Sequence, residues 1–149
     1  MILYCDTSAL VKLYVVEPHS ETLKALLDQA RAVAVSRIAW AEYHAALARR
    51  AREVPGDAAA LDRARHRLAD EWGHYLVMEV TQAVVEKAGE YAEAFALRGY
   101  DAVQLASAHE AMTQTDLPVT FACFDRRLNQ AAKLLAMKSW QFAAGSEQL

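Results

Sequence analysis

Four acids stand where the surrounding residues make an acid unexpected. Asp6 follows the apolar run Ile2-Leu3-Tyr4-Cys5, and Asp125 follows Val119 to Phe124. Asp101 falls in the first turn of a helical stretch, and Glu42 has Ile38, Ala39, Ala45 and Ala46 one helical turn away. A glutamate on an apolar helix face points toward packing, and burying its charge without a partner is expensive. It needs an arginine such as Arg37 or Arg126, a proton, or a metal ion. The aspartates have a plainer use. Asp6 and Asp125 can cap the helices that follow them, and Asp101 with Gln104 has the spacing of a capping box. The joint arrangement asks for more than capping. Two carboxylates about 4 Å apart repel by ~4 kcal/mol at an effective dielectric near 20, so three or four in one crevice require a cation. An all-oxygen set without a cysteine or histidine cluster suits Mg²⁺ or Mn²⁺ and not zinc. His44, His66, His74 and His109 are too dispersed to change that reading.

The elements that must position these acids are legible as alternating strands and helices. An apolar run entering Asp6 reads as a central strand of a parallel sheet, and ligands in open α/β sheets bind beyond the carboxyl ends of such strands. Helices are expected over Ala9 to Val16, broken by Glu17-Pro18, and from Ser20 with a stripe of Leu23, Leu26 and Leu27. A strand over Ala32 to Val35 leads to a helix capped by Ser36 and running to about Glu53. Pro55-Gly56-Asp57 breaks the chain before a helix over Asp57 to Tyr75. A third strand, Leu76 to Val80, precedes a helix from Thr81 to Leu97 that Arg98-Gly99 closes, and Tyr100 to Thr115 is helical again. The fourth strand spans Val119 to Phe124, and Asp125 opens a helix to about Ala136. Lys138 to Phe142 is expected as an edge strand with a frayed tail behind it. Short strands alternating with helices make a parallel sheet covered on both faces. If strands one and four are neighbours where the winding reverses, Asp6 and Asp125 meet at one crevice, which the Asp101 and Glu42 helices can flank.

Composition narrows the class. The 149 residues form a single expected domain, 1–149, with no internal repeat or linker, and 54% hydrophobic against 23% charged residues excludes a disordered chain. No apolar run is long enough for a membrane span and no signal peptide begins the chain, so a cytoplasmic protein is expected. The cysteines, Cys5 and Cys123, fall in expected buried strands and read as free core residues. A net charge of -3 argues against a basic nucleic-acid coat. The arginines are nonetheless concentrated at positions 49, 50, 52, 63, 65 and 67, which can face phosphates or simply coat a solvated helix pair.

The blocks Tyr4-Cys5-Asp6-Thr7-Ser8-Ala9-Leu10-Val11-Lys12-Leu13-Tyr14, Trp40-Ala41-Glu42, Leu97-Arg98-Gly99-Tyr100-Asp101-Ala102-Val103-Gln104-Leu105-Ala106 and Phe121-Ala122-Cys123-Phe124-Asp125-Arg126-Arg127-Leu128 together resemble PIN-domain proteins, more narrowly the VapC-type toxins of toxin–antitoxin pairs. The resemblance spans nearly the whole chain in order. It implies a three-layer α/β/α sandwich with strand order 3-2-1-4-5. It implies a Mg²⁺ or Mn²⁺ site of Asp6, Glu42, Asp101 and Asp125 that hydrolyses RNA, often tRNA or ribosomal RNA, to a 3′-hydroxyl and a 5′-phosphate. Asp6 and Asp101 would be the main ligands, with Glu42 and Asp125 holding a second ion or binding through water. Thr7 or Ser8 would orient Asp6 or touch a phosphate, and Arg126 would support the acids or meet substrate phosphate. A cognate antitoxin and a homodimer are also implied. The stripe of Trp40, Tyr43 and Leu47 reads as core, or as a dimer or antitoxin surface if exposed. Cys123 departs from the pattern, which usually has Thr or Ser two residues before the last acid.

Two other readings compete with this one. A catalytically idle protein of the same fold could dock RNA or protein through its arginine-rich helices. An aspartyl-phosphate enzyme would use Asp6 as nucleophile. The haloacid-dehalogenase pattern wants an Asp where Ser8 stands, and a receiver domain wants a lysine that Lys138 is poorly placed to supply.

Overall fold

The computed structural model describes residues 1–140. Its five strands are β1 (Ile2–Cys5), β2 (Ala32–Ser36), β3 (Leu76–Met78), β4 (Val119–Ala122) and β5 (Lys138–Ser139). They pair in parallel in the order 3-2-1-4-5. The helices are α1 (Thr7–Tyr14), α2 (Ser20–Gln29), α3 (Ala39–Glu53), α4 (Ala58–Glu71), α5 (Gln82–Phe95), α6 (Gly99–Thr115) and α7 (Arg126–Leu134).

The period-two alternation of strand side chains divides the core. From β1, Leu3 and Cys5 face one cluster with Leu10, Leu23, Tyr43, Leu47 and Leu68, drawn from α1 to α4. Ile2 and Tyr4 face the other with Val84, Tyr91, Leu105 and Leu128, drawn from α5 to α7. The four residues of β1 are all buried, as the centre of a sheet covered on both faces requires. Tyr4 lies opposite Phe121 in the β1–β4 register, and their rings stack at 5.5 Å. Cys5 and Cys123 are free and buried, and they belong to opposite core clusters, so the sheet itself keeps the thiols apart.

Several expected boundaries move, each for a local reason. Ser36 is the last residue of β2 and not a helix cap; its hydroxyl accepts from the Ile38 N–H, and α3 begins at Ala39. The helix expected over Asp57 to Tyr75 ends at Glu71, and Trp72–His74 tightens into a 3-10 turn. Gly99 does not terminate α5. Ala96 takes the left-handed conformation (φ 53°) that closes that helix, and Gly99 opens α6 instead. The strands are shorter than expected, β3 ending at Met78 and β4 at Ala122. Of the expected edge strand, Lys138 and Ser139 pair with β4, while Gln141, Phe142 and the tail lie outside the described residues. No helix among the described residues is long and apolar enough to cross a membrane.

Leu105 is fully buried between α6 and the sheet, whereas Leu134 is 75% exposed. Leu105→Ala is expected to cost about 2–5 kcal/mol in urea denaturation, and Leu134→Ala less than about 0.5 kcal/mol. Equal costs at the two positions would contradict this core.

Candidate active site

The chain winds from β1 outward through β2 to β3, then returns to place β4 on the other side of β1. The reversal opens a crevice between the carboxyl ends of β1 and β4. Asp6 is the residue after β1, and its N–H continues the ladder to the Ala122 carbonyl at 3.1 Å. Asp125 stands three residues past the end of β4. Both do cap helices. Asp6 Oδ1 accepts from the Ala9 N–H at 2.9 Å, and Asp125 Oδ1 accepts from the Leu128 N–H at 2.9 Å. For Asp6 capping is not the whole explanation, because the residue is only 8% exposed while Asp125 lies open to solvent.

Asp101 occupies the third position of α6, where Arg98 is the N-cap, so the capping-box reading fails. Its carboxylate is held above the ordinary range first by burial and then by the charges of Asp125 and Glu42, with Arg98 opposing. Asp6 is pushed up to about 6. Burial is the main cause and Asp101 adds to it, against hydrogen bonds from Ala9, Ser8 and Cys123. Asp125 and Glu42 thus act on Asp101, and Asp101 acts on Asp6. Asp101 and Asp125 also share a polar pocket of about 410 Å³ with Arg98, Arg126 and Arg127, which Asp6 and Glu42 do not line. Arg127 is tied to the Ala96 carbonyl at 3.1 Å, while Arg126 is exposed at the first turn of α7.

Glu42 finds neither of the arginines proposed for it. Arg37 is engaged by Glu79. Glu42 Oε1 instead accepts from the Thr7 hydroxyl at 2.9 Å and from Gln104 Nε2 at 2.9 Å. Thr7 thus serves Glu42 and not Asp6, and it is Ser8 whose hydroxyl bonds Asp6 Oδ1 at 2.7 Å. Gln104 in turn accepts from the Tyr4 hydroxyl at 2.6 Å. Sequence reasoning passed over Tyr4 and spent Gln104 on a cap. The signal was present in the spacing. Tyr4 is two residues before Asp6, hence on its strand face, and Gln104 is three after Asp101, hence beside it on the helix.

Cys123 fills the place of the expected hydroxyl without leaving Asp125 unsupported, since its Sγ accepts from the Asp125 N–H at 3.2 Å. The Asn129 amide bonds the Cys123 carbonyl at 2.9 Å and fixes that turn from behind. The arginine cluster is partly absorbed by structure. Arg50 pairs with Glu17, Arg65 lies 3.9 Å from Asp62, and Arg67 sits 5.1 Å over the Tyr14 ring. In the Trp40 stripe, Tyr43 and Leu47 are core, and Trp40 is 38% exposed.

The donor set fits a hard divalent cation in its chemistry: carboxylate oxygens, burial and then like charge that raise Asp6 and Asp101, and, among the described residues, no arginine bonded to Glu42. The acids stand around the crevice without closing on it. Among the described residues no three His, Cys, Asp or Glu side chains are gathered as tightly as a metal cage.

The raised Asp6 sets a pH prediction for metal-free protein. The folded state keeps a proton that the unfolded chain gives up, so stability falls as pH rises from the ordinary 3.8 through about 6. At 1.36 kcal/mol per tenfold the penalty above pH 7 is on the order of 3 kcal/mol. Asp6→Asn keeps the acceptor for Ala9 but never ionises. In urea denaturation with chelator at pH 7.5 it is expected to be about 1–3 kcal/mol more stable than wild type, with the gap closing near pH 4. An Asn variant equal to or weaker than wild type at pH 7.5 would contradict the burial of a charged Asp6.

Known proteins share this sequence pattern and this fold. Residues 3–134 match the PIN domain family model. The chain is 40% identical over 131 residues to ribonuclease VapC49 of Mycobacterium tuberculosis, covering 88% of this chain and 89% of that protein. The crystal structure of M. tuberculosis VapC20, a sarcin-ricin loop cleaving toxin, shares the fold with a TM-score of 0.62 at 24% identity, over 87% of this chain and 94% of that one. A toxin-antitoxin complex from Klebsiella pneumoniae shares it with a TM-score of 0.55 at 18% identity, over 80% of this chain and 84% of that one. A parallel sheet of order 3-2-1-4-5 with acids at its reversal point, and relatedness of this extent, place the chain in the PIN-domain family, alongside the VapC ribonucleases.

Proposed function

We propose that the protein is a divalent-metal-dependent endoribonuclease, the toxin half of a toxin–antitoxin pair, acting in the cytoplasm on tRNA or ribosomal RNA. The observation that carries this reading is that Asp101 feels the charges of Asp125 and Glu42 and itself acts on the buried Asp6. The 40% identity to a VapC ribonuclease supports the substrate class. Asp6 and Asp101 are the principal ligands for Mg²⁺ or Mn²⁺, with Glu42 and Asp125 completing the site. A divalent cation held there would supply charge neutralisation at the scissile phosphate and a water of lowered pKa for the attack.

The chain's own residues divide the remaining work. Ser8 and the Ala9 N–H turn Asp6 into position. Thr7 and Gln104 both donate to Glu42 Oε1 and hold that side chain in place. Arg126 and Arg98 line the pocket beside Asp101 and Asp125, where they can meet phosphates flanking the cut. Hydrolysis leaves a 3′-hydroxyl and a 5′-phosphate. A cognate antitoxin silences the enzyme, and the working form is a homodimer.

Cleavage of structured RNA in Mg²⁺ or Mn²⁺ is expected to stop with chelator. It is also expected to fall in Asp6→Ala or Asp101→Ala by more than the ~100-fold upper range seen when a group that merely supports a ligand is lost. Gel analysis of end-labelled RNA measures this. Undiminished cleavage by both variants would overturn the assignment. Binding without turnover in wild type would mean a docking module of the same fold.

A further inference from the structure

Glu42 is held by a chain of donors that begins in the central strand. The Tyr4 hydroxyl donates to Gln104 Oε1 at 2.6 Å, and Gln104 Nε2 donates to Glu42 Oε1 at 2.9 Å. The same amide lies 3.4 Å from Thr7 Oγ1, whose own proton goes to Glu42 Oε1. Tyr4 is fully buried and Gln104 is 3% exposed, so water cannot easily substitute for either. Among the described residues nothing bonds Glu42 Oε2.

The polarity of this chain is not interchangeable. An amide has a donor end and an acceptor end, and a carboxylate only accepts. Turning Gln104 round would aim its carbonyl at the Glu42 carboxylate and remove one of the two donors there. The carboxylate, which only accepts, sets that polarity, and the Tyr4 hydroxyl supports it by donating to the carbonyl oxygen where it stands. The ring that carries this hydroxyl is itself fixed by stacking on Phe121 at 5.5 Å. We infer that Tyr4 and Gln104 are positioning residues of the acidic site: the phenol fixes the amide, and the amide with Thr7 commits one oxygen of Glu42 to the protein and leaves the other for a divalent cation. This rests on the proposed reading of the site as a metal-dependent nuclease centre. Neutral donors suit the task, because they hold a carboxylate without cancelling the charge a cation needs.

The test is a titration of the RNA-free protein with MnCl₂ and with MgCl₂, read by calorimetry and by thermal shift. Tyr4→Phe retains the stacked ring and removes only the hydroxyl, and Gln104→Leu removes the amide; circular dichroism in chelator checks that each is folded. The half-saturating metal concentration is expected to rise roughly 10–100-fold in Gln104→Leu, the range typical when a group holding a ligand is lost, and by a smaller factor in Tyr4→Phe. Because Tyr4 acts through Gln104, the double variant is expected to bind metal no more weakly than Gln104→Leu alone. At saturating metal the KM for RNA is expected to stay unchanged while kcat falls. Wild-type binding with both variants equal to it would overturn the relay, as would full additivity in the double variant. Wild-type protein that binds neither ion would overturn the reading of the site, and the relay with it.

Discussion

The structure is organised around a carboxylate largely withdrawn from water. Asp6 sits at the end of the central strand with 8% exposure, and burial raises it against the help of three hydrogen bonds. Interiors do not accept such a group unless something offsets the loss of hydration. Here the offset comes from geometry. Asp6 and Asp125 each stand at the start of a helix whose N–H groups point at them, and Asp101 lies in the first turn of a third. Helix starts carry partial positive charge, which eases the concentration of negative charge without supplying a counter-ion. A sheet wound in the order 3-2-1-4-5 brings these starts to one crevice, so the topology and the electrostatics are a single device.

The same logic explains how the remaining acid is treated. Glu42 is approached by hydroxyl and amide donors and by no arginine, although the chain is rich in arginines nearby. Arg37 is occupied with Glu79, Arg50 with Glu17, and Arg67 with the Tyr14 ring. An arginine at Glu42 would neutralise it and would take the place that the proposed reading gives to a divalent ion. Under that reading the unneutralised charge serves function at some cost in stability, a common arrangement at active sites.

The sheet and the strand ends that carry Asp6 and Asp125 were more legible in the chain than the element boundaries were. The apolar run into Asp6 and the alternation of strands with helices led to a parallel sheet covered on both faces, and the family resemblance implied its order. Asp6 and Asp125 were placed at strand ends because an apolar strand that stops at an acid leaves few alternatives. What local pattern could not convey was competition between neighbours. Gly99 looked like a helix terminator, yet Ala96 took the left-handed turn and Gly99 became a helix start. Gln104 had capping spacing from Asp101, but the helix had begun two residues earlier, freeing the amide for Glu42. The partner of Glu42 lay 62 residues away, a separation across which periodicity carries no information. Cys123 shows the opposite case: a departure from the family pattern whose contact with the Asp125 backbone the fold preserves.

All of this depends on the acids forming one cation site. The most direct measurement is a crystal structure of the protein grown or soaked with MnCl₂, with anomalous scattering recorded at the manganese edge. A peak bridging Asp6 and Asp101, with Glu42 or Asp125 within reach directly or through water, is the expected result. Manganese bound elsewhere, or no peak at millimolar Mn²⁺ with the crevice open to solvent, would contradict it.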